Sequence, residues 1–546
     1  PLPSHSYLKA SGIDGVKVDA QATLGMIGGG AVPAPCAGSS GSSSSSSSPP
    51  STSSPSPPSS DLALVGGPSL SASYHAALEE SISRNFPGNA AINCMCHSTE
   101  DFFNFSDSAV ARTSDDFWPR DPASHRAHVA VNAFNSVFFS PLVQPDWDMF
   151  HSRHAAAKLH ALARVVSGGP VYVSDAPGVH DAELLKRLAL PDGRVLRPAL
   201  PGRPTADCLF RDVMRDGESL LKVSTVNSTA VAVAAVAVAE EEEEEKDDDD
   251  GDDEEKRPKE ELKTFSCGVV GVFNTQGAAW SRKTRRFELL RTENEKREAS
   301  AVVGCAPDAG IASWFKSKFP SLCGGGSGDE KKKRTESEDE EEEEAEIGET
   351  LSTTVSPSDV TPKLRTPPSG AFIAWSDENQ RAALLVVPAR KKKKGGESSE
   401  GNGAPSVVVG SSNNDESLTV SLSRGGADLI SFSPVLLLLE GKSAATLVRA
   451  SVIGLTGMVN SGGAVLSVSQ SSSPRSVTVV VRGSGQLTLW CEASPCSAAV
   501  NGQRLNDSSG SISWDAGSKL ARVEVPARAA AEEGGFEPDA EVVVYF

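Results

Sequence analysis

The sequence has no apolar run approaching the roughly 20 residues that a membrane-spanning helix needs, and its longest candidate, Thr229–Ala239, is short and leads straight into acids. No charged-then-apolar leader stands at the start, which reads Pro-Leu-Pro, so the chain is expected to begin partway through a domain. Its nine cysteines show no repeated spacing. An odd count without a framework excludes a disulfide-stapled secreted scaffold. Cys94, Cys96 and His97 lack further ligands at zinc-like spacing, so no metal site is expected and these residues are read as strand residues near a pocket. Aromatics are scarce at 5 % and hydrophobics reach only 38 %, but the dilution is local. Residues 39–60 are almost all Ser, Pro and Thr, which cannot bury enough apolar surface to fold.

The acidity is local too. Glu240–Glu255 carries a charge of −13 and Glu336–Glu346 a charge of −9, against −20 for all 546 residues. The remainder is close to neutral, so the pI of 5.0 describes two solvated tracts and not the folded surface. Apart from the adjoining Arg390, nothing aromatic or basic surrounds the run Lys391–Lys394, so it reads as an exposed loop and no nucleic-acid partner is expected.

The rest is patterned. Gly15–Val18 reads as a buried strand ending in Asp19, and Ser71–Phe86 as a helix with Leu78, Ile82 and Phe86 on one face. Ala90–Cys96 and the stretch before Asp115 read as strands, Ala127–Phe139 and Ala155–Val166 as helices, and Gly169–Asp175 as another strand. Alternating strands and helices imply parallel pairing. Strands that end in polar or charged residues suggest a (β/α)8 barrel, whose chemistry sits at the carboxyl ends.

That placement brings Asp19 and the pair Asp115–Asp116 to one face. Two carboxylates across a pocket suit retaining glycoside chemistry, one as nucleophile and one as acid/base. Adjacent carboxylates disfavour each other's ionisation, which suits the acid. Lys17, two residues before Asp19, shares its strand face. It and Arg112 would contact sugar hydroxyls, and Trp118 and Trp147 offer flat faces to sugar rings. Each of these residues also has a plainer reading. An Asp after a strand is most often a cap or turn residue, Asp146 and Asp148 suit the cap of the following helix, and Trp147 suits a core.

The motifs go further. "GVKVDAQ", "RTSDDFWPRDPASH", "QPDWDMFHSRH", "GGPVYVSDAPGVH", "LPDGRVLRPALPGRPTADCLFRD" and "GVFNTQGAAW" occur in that order. They resemble the plant-type raffinose synthase and alkaline α-galactosidase group, also called seed imbibition proteins, of glycoside hydrolase family 36. "SVIGLTGMVNSGGAV" and "VVVRGSGQLTLW" resemble its late strands. The resemblance implies an α/β plus all-β fold. Residues 1–218 would form the C-terminal half of a (β/α)8 TIM barrel, with a disordered insert at about 31–60. Residues 219–546 would form an antiparallel β-sandwich, with inserts at about 228–265, 325–350 and 389–415. "SLLKVSTVN" and "SCGVVGVFNTQG" would be neighbouring strands with the first of these inserts between them.

The resemblance implies Asp19 as nucleophile, Asp115 as acid/base with Asp116 as the second choice, and Lys17, Arg112, Asp116, Trp147 and Asp148 as substrate-binding residues. The donor would be galactinol or a raffinose-type sugar and the acceptor sucrose or water, with no metal or organic cofactor. The expected compartment is the cytoplasm, with a plastid as the alternative. Family members carry a sandwich and the first barrel strands ahead of "KVD". This chain is therefore expected to be N-terminally truncated and inactive alone, with an inactive fragment or carbohydrate-binding protein as the alternative to an enzyme.

Overall fold

The computed structural model describes residues 3–26, 68–233, 263–290, 350–387, 416–440, 443–505, 511–529 and 536–546. The Ser/Pro-rich segment 31–60, most of the insert at 228–265, and nearly all of those at 325–350 and 389–415 lie outside the described residues.

After a short helix α1 (Pro3–Ala10), four strands lie side by side in chain order, all parallel: β1 (Val16–Val18), β2 (Ala91–Asn93), β3 (Val110–Arg112) and β4 (Gln144–Asp146). Parallel neighbours need a crossover. Helices α2 (Pro68–Asn85), α3 (Thr99–Asn104) and α4 (Ser124–Phe139) lie in the three crossovers. The helical spacing of Leu78, Ile82 and Phe86 does bury one face, each being 2 % exposed or less. On α4 the small residues Ala127, Ala130 and Ala133 are buried, which brings its backbone close to its neighbours.

Helix α5 (Ala157–Ser167) is buried along its length except at Lys158, its polar residues His160, Arg164 and Ser167 included. Gly168 ends it in the left-handed conformation (φ 72°), where a Cβ would stand 2.8 Å from the Leu200 carbonyl oxygen. Its polar residues meet those of α4. His125 Nδ1 lies 2.9 Å from His160 Nε2, and Arg164 Nη1 lies 2.7 Å from His160 Nδ1. The rings of His125, His151, His154 and His160 surround Phe117 with centroids 4.9–6.0 Å away. Burial, with the charges of His154, Arg164 and Arg126 adding to it, takes His125 down to about 4. Burial beside Arg164 takes His128 down to about 3.

Three larger sheets follow, antiparallel but for one parallel pair in the seven-stranded one, together with two two-stranded ribbons. A six-stranded sheet includes β5 (Arg203–Pro204), β6 (Leu221–Val226) and, past β7 (Ala230–Val233) and β8 (Lys263–Phe265), β9 (Gly268–Phe273). Leu159, Leu162, Val165 and Val166 of α5 share one core with Leu221, Val223, Val269 and Phe273 of this sheet. A five-stranded and a seven-stranded sheet close on a second core through Leu436, Leu487, Val523, Val468, Val479 and Val542. The expected neighbours β6 and β9 pair antiparallel from Leu221 with Phe273 to Val226 with Gly268. The segment between them is not a bare insertion. β7 and β8 pair with each other, and β7 runs parallel to Val465–Ser472 in the seven-stranded sheet.

Two expectations need correction. Gly169–Asp175 is not a strand, and Val173 makes a single bridge to Phe150. Pro170 has no N–H to give a ladder, and Asp175 instead accepts from Ser152 N and Oγ at 2.7 and 2.5 Å. Asp146 and Asp148 cap no helix, because α5 begins at Ala157 and Asp146 ends β4.

Two predictions follow from this packing. Gly454 sits at a register shift in Ser443–Leu455 with φ 113°, and a Cβ there would stand 2.1 Å from the Ser461 carbonyl oxygen. Gly454→Ala should cost at least about 2 kcal/mol, measured by urea unfolding. The second concerns acid. His125 and His128 bind protons more weakly folded than unfolded, so between about pH 6.5 and their lowered values the unfolded chain holds more protons. Their contribution is complete above about pH 6.5 and is lost as pH falls toward about 4 for His125 and about 3 for His128. Thermal midpoints should drop across that interval, and His125→Gln should flatten the drop.

Candidate active site

All four parallel strands end on the same side, and the sequence after each supplies chemistry. Asp19 follows β1, Cys94 follows β2, Ser114–Asp116 follow β3, and Asp148 follows β4. Three of these ends turn through non-glycine residues in the left-handed region: Ala20 (φ 61°), Met95 (φ 44°) and Asp148 (φ 68°). Such conformations cost about 1–3 kcal/mol each and persist only where the surroundings impose them.

Asp148 joins the ends. Its Oδ1 accepts from Lys17 Nζ at 2.5 Å, and its Oδ2 lies 3.1 Å from Arg112 Nη1 and accepts Phe117 N–H at 2.8 Å. One buried carboxylate thus spans β1, β3 and β4. Burial favours its neutral form, but the Lys17 hydrogen bond and the Arg112 charge outweigh this and hold it well below the usual carboxylate range. Arg112 Nη2 pairs with Asp116 Oδ1 at 2.6 Å, and the Arg112 carbonyl accepts from His97 Nε2. Lys17 Nζ also lies 3.0 Å from the Tyr172 hydroxyl, which donates to Asp146 Oδ2 at 2.8 Å. Burial raises Asp146, against the pull of Lys17 and Tyr172.

Asp19 and Asp115 are exposed beside this cluster. Asp19 Oδ1 accepts Ala20 N–H at 2.7 Å and Asp115 Oδ1 accepts Asp116 N–H at 2.8 Å, so each steadies its own turn. Burial lifts the Cys94 thiol to about 12, and a hydrogen bond to Asp19 adds to that.

Of the residues expected to bind substrate, Lys17, Arg112, Asp116 and Asp148 come together. Trp147 does not join them. It is 0 % exposed, packed in the core with its Nε1–H on Ser136 Oγ at 3.1 Å, and has no face for a sugar. Trp118 is 44 % exposed and retains one. Asp148 is sealed as well, with both oxygens engaged, so it organises Lys17 and Arg112 and does not itself face solvent. Tyr172, Asp146 and the ring cluster behind them were not anticipated. The spacing of His160 and Arg164, four apart on one helix, was the available signal.

Among the described residues no group of three or more His, Cys, Asp or Glu is arranged to hold a metal ion, and no helix is long and apolar enough to cross a membrane.

A family model described as raffinose synthase or seed imbibition protein Sip1 matches residues 62–238 and 335–523. A probable galactinol–sucrose galactosyltransferase 6 of Arabidopsis thaliana is 41 % identical over 296 residues, 54 % of this chain and 30 % of that protein. A galactinol–sucrose galactosyltransferase of Pisum sativum is 26 % identical over 531 residues, covering 95 % of this chain and 47 % of that protein. A stachyose synthase of Pisum sativum is 32 % identical over 295 residues, 52 % of this chain and 26 % of that protein. The chain thus spans less than half the length of these curated relatives. The matched residues include Arg112, Asp115, Asp116 and Asp148 together with most of the antiparallel strands, and on that extent the chain belongs to the raffinose synthase or seed imbibition protein family.

Proposed function

We propose that the strand-end cluster is a galactosyl-transfer site, and that the polypeptide works in retaining α-galactosyl transfer between raffinose-family sugars. One observation carries this reading. Lys17 stands two residues before Asp19 and Arg112 three before Asp115, and the two cations share the single carboxylate of Asp148. The strands bearing both candidate catalytic carboxylates are thereby cross-linked at one point.

On this reading Asp19 attacks the anomeric carbon of the donor while Asp115 gives its proton to the departing oxygen, releasing inositol when the donor is galactinol. Asp115 then takes the proton from the acceptor hydroxyl, which displaces Asp19, and two inversions leave the α configuration unchanged. Asp116, held by Arg112, is the other candidate for the acid/base. The exposed flank of Lys17 and the face of Trp118 are the sugar-facing groups. The parallel unit is proposed as the C-terminal half of a (β/α)8 barrel, and the antiparallel sheets as a sandwich domain beginning near residue 219. The names of the relatives favour sucrose over water as acceptor. Hydrolysis of raffinose-type sugars is the second reading, since it shares the first half-reaction.

The test uses the chain as it stands and, beside it, the chain extended by the part of a curated relative that it does not match. Each is incubated with galactinol and sucrose, and raffinose, galactose and inositol are resolved. Raffinose is expected from the extended chain. Asp19→Asn should lower its rate by at least about 10³-fold. Asn at whichever of Asp115 or Asp116 is the acid/base should cost about 10²–10⁴-fold. Galactose without raffinose would select hydrolysis, and neither product from a folded extended chain would defeat the assignment.

A further inference from the structure

Behind the site lies a buried cation for which the proposed reaction has no use. Arg164 on α5 is 0 % exposed, and among the described residues no carboxylate pairs with it directly. Burial lowers its pKa to about 10, against the nearby charges of Asp148 and Asp146, so it remains charged at neutral pH. An isolated buried charge is expensive unless its donors are satisfied. Its partners are main-chain carbonyls and one neutral imidazole. Nε donates to the Asp148 carbonyl at 3.0 Å and Nη2 to the Met149 carbonyl at 3.0 Å. Nη1 donates to His160 Nδ1 at 2.7 Å, whereas the neighbouring His128 Nε2 donates to the Trp147 carbonyl at 3.0 Å and accepts nothing from Nη2. A guanidinium can only donate. His160 therefore accepts at Nδ1, carries its proton on Nε2, and passes the hydrogen bond on to His125 Nδ1 at 2.9 Å.

The two carbonyls are not arbitrary. They are the two carbonyls that leave the turn at Asp148, where φ is 68° and a residue with a Cβ is disfavoured. The Asp148 N–H is taken by Asp146 Oδ1 at 3.1 Å and its carbonyl by Arg164, so the peptide groups on both sides of its Cα are held. With the backbone fixed, the side chain projects forward between Lys17 and Arg112. We propose that Arg164 is a positioning residue, whose guanidinium holds the left-handed turn at Asp148 from behind so that its carboxylate clamps Lys17 and Arg112. The functional meaning rests on the galactosyl-transfer reading, whereas the clamp itself does not.

A residue that merely fills the core predicts lost stability alone. A positioning residue also predicts a local change at Lys17, which is 24 % exposed at its side chain and so open to reagents. The measurement is the rate of Lys17 acylation by a water-soluble succinimidyl ester, followed by peptide mass spectrometry. It uses wild type, Arg164→Met, Arg164→Lys and Asp148→Asn, with Lys9 and Lys186 as internal references. Asp148→Asn removes the partner and sets the upper limit. Arg164→Met is expected to speed Lys17 labelling about fivefold to tenfold, the scale of losing a partly buried charged hydrogen bond, with Lys9 and Lys186 unchanged and helical circular dichroism retained. Arg164→Lys, which keeps the charge but cannot reach both carbonyls, should fall between wild type and Met. It decides the matter alone where Met does not fold. Wild-type labelling of Lys17 in a folded Arg164 variant, with Asp148→Asn elevated, would overturn the proposal. Labelling needs no turnover, so this outcome is read separately from the failure of the transfer assay. In a chain that does turn over galactinol, the same variants should lower kcat more than they raise KM.

Discussion

The site depends on one carboxylate shared by two cations. Asp148 lies between Lys17 and Arg112, and the three belong to strands that are remote in sequence and adjacent or nearly so in the sheet. Burying an ion pair gains little by itself, because desolvation consumes most of the Coulomb term. Once the charges are buried, however, removing one partner leaves the others uncompensated at about 3–5 kcal/mol. The cluster is therefore better understood as a constraint on geometry than as a source of stability. It fixes where Lys17 and Arg112 point, and Asp19 and Asp116 stand two and four residues beyond them.

That constraint is supported from outside the parallel sheet. Helix α5 carries Arg164 and lies against the six-stranded sheet, so the antiparallel part forms the back wall of the site and is no mere appendage. Polar ties run the same way. Arg187 Nη2 donates to both oxygens of the buried Asp377 at 2.7 Å, Lys158 pairs with Glu378, and Arg126 donates to the Gln276 carbonyl. An error in docking the sheet on α5 would reach Asp148 through two hydrogen bonds. This is a physical reason for a short parallel unit and a large antiparallel unit to occur in one chain.

Periodicity made much of this legible. The apolar spacing of Leu78, Ile82 and Phe86 marks α2, and the polar residues after β1 and β3 mark the end of the sheet where Lys17, Arg112 and Asp148 meet. Two departures have clear causes. Gln144-Pro145-Asp146 forms β4 with no β-branched residue to signal a strand, whereas Val171 and Val173 alternate in Gly169–Asp175 without forming a ladder. Trp147 was read from its type, but burial decided its role. Asp148 as a hub was beyond any local pattern, because its partners lie 131 and 36 residues away in sequence and only the fold brings them together.

The long acidic insertion raises the remaining question, of how a domain tolerates so large a charge between two central strands. The pairing of its ends gives the answer. β6 and β9 are paired along their whole length, and just beyond them Val231 with Phe265 and Val233 with Lys263 continue the closure in a second sheet. Once the ends are zipped, the cost of what lies between grows only with the logarithm of its length, about 0.6 kcal/mol per doubling. The ladder hydrogen bonds and the burial of Val231 and Phe265 in the second core are made regardless of what residues 234–262 contain. The same four strands hold "SLLKVSTVN" against "SCGVVGVFNTQG", whose Gln276 ends at Arg126 on the helix after β3. The closure that joins β6 to β9 therefore also ties the six-stranded sheet to the helix after β3.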